Sequence, residues 1–549
     1  MSKNEVRSSK SKRRGKPYPQ AQVVHFESHI SLLDKDAPPV NYNGLVNFFL
    51  LLFGGMMVRL ILENYLKYGI LVTLPGFNFN SSDLLFSLTC IVLFVLNVLF
   101  SFFVEKNAAE KSRILAENAT VGKSKKPNSE KVPEKKPEDP KKNSSNSTIV
   151  NLKSDVQEDA LKRKADQAVH EKAFFDLDDS DKKKFNTLIY DDSINLLLQF
   201  SNIFVALVFP SVMVFYLFAN PLLGTAIMSI SVVLSLKLYS YTATNLDLRR
   251  AYVSHDVDFN KDLLLETTFS KDHILSINTA AQTNVYVGMP IKYDVNYPDN
   301  IKLWNLLYFL VVPTLCYQPS YPKPTHKMRI SFILRRLVEI FFLSALMYIV
   351  ILQYAYPTLV NSVTAIESLN QAWVSERVLK LSVAVSLLWL IGFYLFFHST
   401  LNLVAELTGF TDRLFYLDWW NSSDLGSYWR LWNLPIHNFC KRHIMIPLTS
   451  PPFNLNSFVG GSITFFISAV LHELVFGLPT KSTRLYAFFG MILQIPLVSI
   501  TQYVSYRRGS KSQIGNALFW ISFCIIGQPL LVLLYYYDWI KLNKSIIPA

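Results

Sequence analysis

The chain has 549 residues, half of them hydrophobic, with 40 Phe, 27 Tyr and a formal net charge of +13. Such a charge would suit nucleic acid, but the basic residues sit in an N-terminal tail and in loops and form no single basic face, which argues against that partner. Four scattered cysteines, Cys90, Cys316, Cys440 and Cys524, make no CxxC pair and argue against a disulfide framework.

Apolar runs of about 18–25 residues recur, each long enough to cross the roughly 30 Å hydrocarbon core as a helix. The expected class is an all-α polytopic membrane protein with about nine spans. Residues 1–43 read as a disordered basic tail without the apolar core of a cleavable signal peptide, so the first membrane helix is expected to do the targeting. Residues 44–104 hold two spans, Gly44–Leu62 and Leu84–Val104. Residues 105–192 are rich in Lys, Glu, Ser and Pro (KKPNSEKVPEKKPEDPKKNSSNS), which predicts a largely disordered insert with one short helix near Val156–Phe175.

Residues 193–541 form the expected catalytic core, and 542–549 a short tail. Within the core, Ile194–Phe218 and Leu222–Tyr241 are joined by an Ala-Asn-Pro turn. Leu303–Tyr317 is apolar but too short to span, so an interfacial or re-entrant helix ending at Pro313 is expected. Five more spans follow: Leu337–Tyr356, Val378–Leu401, Leu455–Gly477, Leu485–Tyr506 and Ile514–Tyr537. The basic tail, the Lys-rich insert, Arg329–Arg336 and Tyr506–Lys511 all fall on one side in this count. The positive-inside rule makes that side cytosolic and the C-terminus lumenal; Lys481 and Arg484 dissent.

Two stretches carry chemistry. The first is Phe415–His443, FYLDWWNSSDLGSYWRLWNLPIHNFCKRH. Its Ser422-Ser423-Asp424 is a helix N-cap signal. Leu425, Tyr428, Trp429, Trp432 and Ile436 then share one face of an amphipathic helix, broken or ended at Pro435. An aromatic anchor at headgroup level would account for the tryptophans. It would not account for Asp418, Asn421, Arg430, Asn433, His437, Lys441 and Arg442. Cations and aromatic rings together suit a phosphorylated, base-bearing substrate.

The second stretch is SITFFISAVLHELVFGLP, where His472 and Glu473 lie in a membrane-length run. Ionisable groups at that depth are costly and mark function by default. A zinc-protease motif is excluded because Phe476 stands where HExxH needs a histidine. His437, Cys440 and His443 lack a fourth metal ligand, and no GxSxG elbow is present. What remains is either an interhelical hydrogen bond or a neutral imidazole acting as general base on an alcohol, with Gln528 and Asn433 as polar groups near a developing oxyanion.

These residues resemble the membrane-bound O-acyltransferases, and within them the type 1 diacylglycerol O-acyltransferase branch. The FYxDWWN signature is Phe415, Tyr416, Leu417, Asp418, Trp419, Trp420 and Asn421. W-x-x-W-N-x-P-x-H is Trp429–His437, and S-A-x-x-H-E is Ser468–Glu473. Likeness extends over Asn41–Val104 and Ile194–Lys541, through segments such as FHSTLNLVAELTGFTDR and IGQPLLVL. The charged insert departs from animal relatives and suits a fungal or other microbial member.

The resemblance implies a nine-helix enzyme of the endoplasmic-reticulum membrane with a cytosolic amphipathic helix, working as a homodimer. It implies transfer of an acyl group from acyl-CoA, a substrate and not a cofactor, to the hydroxyl of diacylglycerol, with no metal. It makes His472 the base, Asn433 and Glu473 active-site residues, and Gln528 a contact of the reaction centre. The acyl-CoA lining would be Trp429, Arg430, Leu431, Trp432, Asn433, Leu434, Pro435, Ile436 and His437. Relatives often carry basic residues between the two motifs to meet CoA phosphates. Ile444–Thr464 has none here, which shifts that duty to Lys441 and Arg442. A sterol acceptor is the alternative, since that branch shares the signature and the histidine. A transporter or scaffold would need repeat symmetry or a polar midplane path, and neither is present.

Overall fold

The computed structural model describes residues 25, 28–34, 37, 40–65, 80–123, 179–254, 295–322, 324, 327–508 and 514–543. Among these residues the regular structure is helical, apart from one isolated bridge between His29 and Asp412. Helices are what a chain in hydrocarbon must form, because each backbone N–H and C=O is then satisfied within its own segment.

Eight segments are long and apolar enough to span: Ser81–Leu115, Asp192–Leu217, Pro221–Val253, Ile330–Glu367, Gln371–Thr408, Ser457–Phe476, Tyr486–Arg507 and Ile514–Leu542. The ninth expected span corresponds to the first helix, Asn43–Tyr65 (α1), whose apolar stretch is the shorter Asn43–Met56. The chain divides into two units, Met1–Lys106 with Gln199–Ala549, and Asn107–Leu198. What is described of the second unit is the outer part of helices Ser81–Lys123 (α2) and Asp179–Leu217 (α3).

Helix α2 does not stop at Val104, where its apolar run ends, but continues to Lys123. The Ala, Glu, Lys and Arg residues that follow are strong helix formers, and propagation needs no apolar face. The first residues of the expected insert are therefore helical, as are its last ones, from Asp179. The helix expected near 156–175, the sequons at Asn143 and Asn146, and the segment around Lys511 lie outside the described residues.

The Ala-Asn-Pro turn is held by a buried aspartate. Asp83 accepts the Ala219 and Asn220 N–H groups at 3.1 and 2.9 Å, and Asn220 in turn accepts the Leu222 N–H at 2.9 Å. The expected short helix is Leu303–Val311 (α4). Its final carbonyls would be orphaned before Pro313. Buried Lys237 supplies the missing donors, giving its three N–H bonds to Phe309, Leu310 and Val312 oxygens at 2.9, 2.8 and 2.9 Å.

Four π-helical stretches interrupt the helices, at Ile351–Ala355, Tyr394–Thr400, Lys441–Met445 and Trp520–Gly527. Such widened turns are rare and concentrate near functional sites. The last of them directly precedes Gln528.

Candidate active site

Phe415–Asn421 forms a buried hub. Trp419 is packed by Trp389, Phe393 and Trp520 at ring separations of 4.9, 5.0 and 5.7 Å. Tyr416 meets His398 Nδ1 at 2.8 Å. The Trp420 indole donates to the Asn41 carbonyl at 2.8 Å, and Asn421 accepts the Gly44 N–H at 2.6 Å. On the other side, Asn516 donates to the carbonyls of Trp420 and Ser422 at 2.9 and 3.0 Å. The hub thus ties α1 to the last span. A Cβ on Gly44 would lie 1.3 Å from the Trp420 oxygen, so only glycine permits this approach.

The same segment braces its neighbour. Leu417 N–H donates to Leu431 O, and Leu434 N–H to Phe415 O, both at 2.9 Å. Between them the expected amphipathic helix is two helices, Leu425–Leu431 (α5) and Leu434–Cys440 (α6). Asp424 caps the first by accepting the Ser427 N–H at 2.9 Å. The break falls at Trp432-Asn433, before Pro435 and not at it. Asn433 is extended and caps the second helix, its Oδ1 accepting the Ile436 N–H at 3.2 Å. Proline then sits in the first turn, where its missing N–H costs nothing. This geometry leaves the Asn433 amide N–H2 uncommitted among the described residues.

Arg430 is exposed and bonds Ser427 at 2.8 Å. Trp432 stacks on Tyr428 with ring planes 6° apart. Trp429 touches the next stretch, its ring 5.7 Å from Phe465.

Phe465 and His472 both belong to Ser457–Phe476 (α7), which Asn456 caps by accepting the Val459 N–H at 2.8 Å. At 1.5 Å per residue, His472 lies about 20 Å along this helix. Its Nδ1 is 2.8 Å from the Ser468 carbonyl. A carbonyl only accepts, so Nδ1 carries the proton and Nε2 presents a lone pair.

Glu473, one residue on, points elsewhere and is 9 % exposed. Its Oε2 accepts the Tyr535 hydroxyl at 2.8 Å and the Phe488 N–H at 3.1 Å. Tyr535 itself accepts the Ala487 N–H at 2.7 Å. Oε1 is buried without a partner and lies against Gly477, where a Cβ would come within 1.9 Å of it. Gln528 opens the helix Gln528–Leu542 (α8), and its Oε1 is likewise buried and unpartnered. Among the described residues no hydrogen bond joins His472 to Asn433, Glu473 or Gln528.

Arg442 does not take up the expected phosphate duty. It is 2 % exposed and donates to Tyr317 O and Thr244 Oγ1 at 2.9 and 3.0 Å. Its charge is spent on holding the 295–322 loop. Lys441 is exposed. His443 approaches Ser240 Oγ at 2.8 Å. Burial, with the Arg442 cation beside it, lowers its pKa well below 6.5. Tyr535 and Ser468 complete the site. Ser468 was visible as the residue one helical turn before His472; nothing in the run Tyr535-Tyr536-Tyr537 singled out Tyr535.

An all-α, multi-span protein with a neutral imidazole inside a bilayer-length helix belongs to a narrow class. The chain is a member of the membrane-bound O-acyltransferase (MBOAT) family, which its residues 203–536 match. It is 38% identical over 343 residues to diacylglycerol O-acyltransferase 1 of Corylus americana, covering 62% of this chain and 58% of that protein. It is 36% identical to the Dictyostelium discoideum protein of the same name, over 64% of this chain and 51% of that one. The bovine (Bos taurus) protein is 36% identical, with 64% and 66% covered. The chain thus spans a little over half the length of the first of these relatives.

Proposed function

We propose that this protein transfers an acyl group from acyl-CoA to the free hydroxyl of diacylglycerol, giving triacylglycerol and CoA. The observation that carries the chemistry is the His472 Nδ1–H bond to Ser468 O, which fixes the tautomer with Nε2 as acceptor. Nε2 takes the hydroxyl proton as the alcohol oxygen attacks the thioester carbonyl. The tetrahedral intermediate collapses, the C–S bond breaks, and the imidazolium proton passes to the departing thiolate. Transfer is direct, with no acyl-enzyme, metal or cofactor.

Asn433 and Gln528 are assigned to the substrate carbonyl. Asn433 has its oxygen occupied by the helix cap and its N–H2 available to a developing oxyanion, in the manner of an oxyanion-hole donor. Glu473, clamped by Tyr535 and Phe488, sets the rotation of the helix that carries His472. Trp429–His437 line the acyl-CoA path, reaching the His472 helix through Trp429 and Phe465. The acceptor class is supported by the names of the relatives above. We place the enzyme in the endoplasmic-reticulum membrane as a homodimer, N-terminus cytosolic and C-terminus lumenal.

Membranes containing the protein, given labelled oleoyl-CoA with diacylglycerol or sterol in parallel, test this directly. Labelled triacylglycerol is the expected product. Sterol ester alone would overturn the acceptor, and no ester from either would overturn the transferase.

A further inference from the structure

Away from this site, a cavity of about 270 Å³ opens where the span Ile330–Glu367 begins and the span Gln371–Thr408 ends. Gly409, at φ +67°, terminates the helix Leu401–Thr408 and turns the chain so that Arg413 returns beneath it. Three guanidinium groups, from Arg329, Arg336 and Arg413, gather at 4.7, 5.1 and 5.4 Å from the Phe332 ring centre.

Only two carboxylates answer them. Glu406 is shared, bonded by Arg329 Nη2 at 3.0 Å and Arg413 Nη2 at 2.5 Å. Glu339 pairs with Arg336 at 2.9 Å and also accepts the Ser399 hydroxyl. One positive charge is left over. Arg413, 6 % exposed, lines the cavity, and its Nη1 is buried with no partner. A buried cationic donor without an acceptor is costly unless something fills its place. The lip of the cavity is apolar and exposed, at Met328 and Leu407. A charged donor inside, an apolar lip, and a position at two span ends together fit an amphiphile held at headgroup level.

We propose that this cavity seats the phosphate of a glycerophospholipid. Arg413 Nη1 donates to a phosphate oxygen, and the lipid chain lies along Leu407 and Met328 toward the hydrocarbon. None of the lining residues belongs to Trp429–His437 or to α7, so this is a lipid site separate from the transfer chemistry.

The test is calorimetric titration of the full chain, delipidated in neutral detergent, with dioctanoyl phosphatidylglycerol. Inorganic phosphate and free CoA are titrated in parallel arms. Saturable lipid binding is expected, weakened about tenfold or more by Arg413→Gln. Leu407→Trp fills the cavity without touching the Glu406 pairs, and should abolish binding even if Arg413→Gln fails to fold. Equal binding by wild type and Leu407→Trp overturns the proposal. Binding of phosphate or CoA but not of the lipid overturns the lipid assignment. Because the readout is binding, failure here is distinct from failure of acyl transfer.

Discussion

Phe415–Asn421 and Ser457–Phe476 are both polar intrusions in an apolar protein, and the structure treats them in opposite ways. The first is enclosed by aromatic rings, and many of its polar groups are bonded: to Asn41, Gly44, Asn516 and His398. The second keeps a half-buried imidazole with one nitrogen open, and a carboxylate with one oxygen bare. A site that must accept a proton needs such an opening, whereas a joint between helices is stronger without one. Conspicuous residues make the joint, and incompletely bonded ones do the chemistry.

That contrast is breakable. His472→Ala should cut turnover by about 10²–10⁴-fold while thermal melting in detergent stays at the wild-type value. Retained activity would place the base elsewhere. Trp419→Ala should do the reverse and cost about 3–5 kcal/mol of stability, seen as early melting and aggregation on size exclusion. A Trp419→Ala protein that melts normally but turns over slowly would move the hub to the chemical side of the comparison. Gly44→Ala forces a methyl into the Trp420 carbonyl and should cost about 1–3 kcal/mol by the same melting assay.

Acid should act on a third place. Neutral His443 accepts from Ser240, and its pKa is lowered in the folded state, so the unfolded chain binds its proton more readily. Its stabilising effect is complete above the ordinary value of 6.5 and is lost as pH falls below it. Melting between about pH 8 and about pH 5 should show a loss of order 1 kcal/mol per pH unit below that value, reduced in His443→Gln.

The smallest effect sharpens the comparison most. Asn433→Ala should cost about 1 kcal/mol of stability through the lost cap. Asn433→Asp keeps the cap but has no amide N–H2. If Asn433→Asp turns over normally, Asn433 belongs to the joint; if only Asn433→Asp and Asn433→Ala both fail, it belongs to the site.

Much of this was legible beforehand. Spans declare themselves through hydropathy, because lipid leaves a segment little choice of structure. The His472 position could be seen because an ionisable pair stands out against an apolar run. The helix break was misplaced by two residues because proline is the loud signal, while the capping role of Asn433 depends on an extended backbone that no single residue type announces. Helix α2 overran its apolar stretch because hydropathy reports the edge of the bilayer and not the end of a helix. Arg442 was assigned to solvent on charge alone, yet its partners, Tyr317 and Thr244, come from distant parts of the chain and become neighbours only on folding. Tyr535 was hidden for the same reason, one phenol among three in a row.

That tyrosine has a consequence for how the enzyme is made. The helix bearing His472 and Glu473 is synthesised well before Tyr535 of the final span, whose hydroxyl holds the Glu473 carboxylate. A nascent chain halted after Phe476 would therefore carry its base and an unclamped acid. The site is finished only when the last helix enters the membrane, so the order of synthesis itself delays catalysis until the chain is whole.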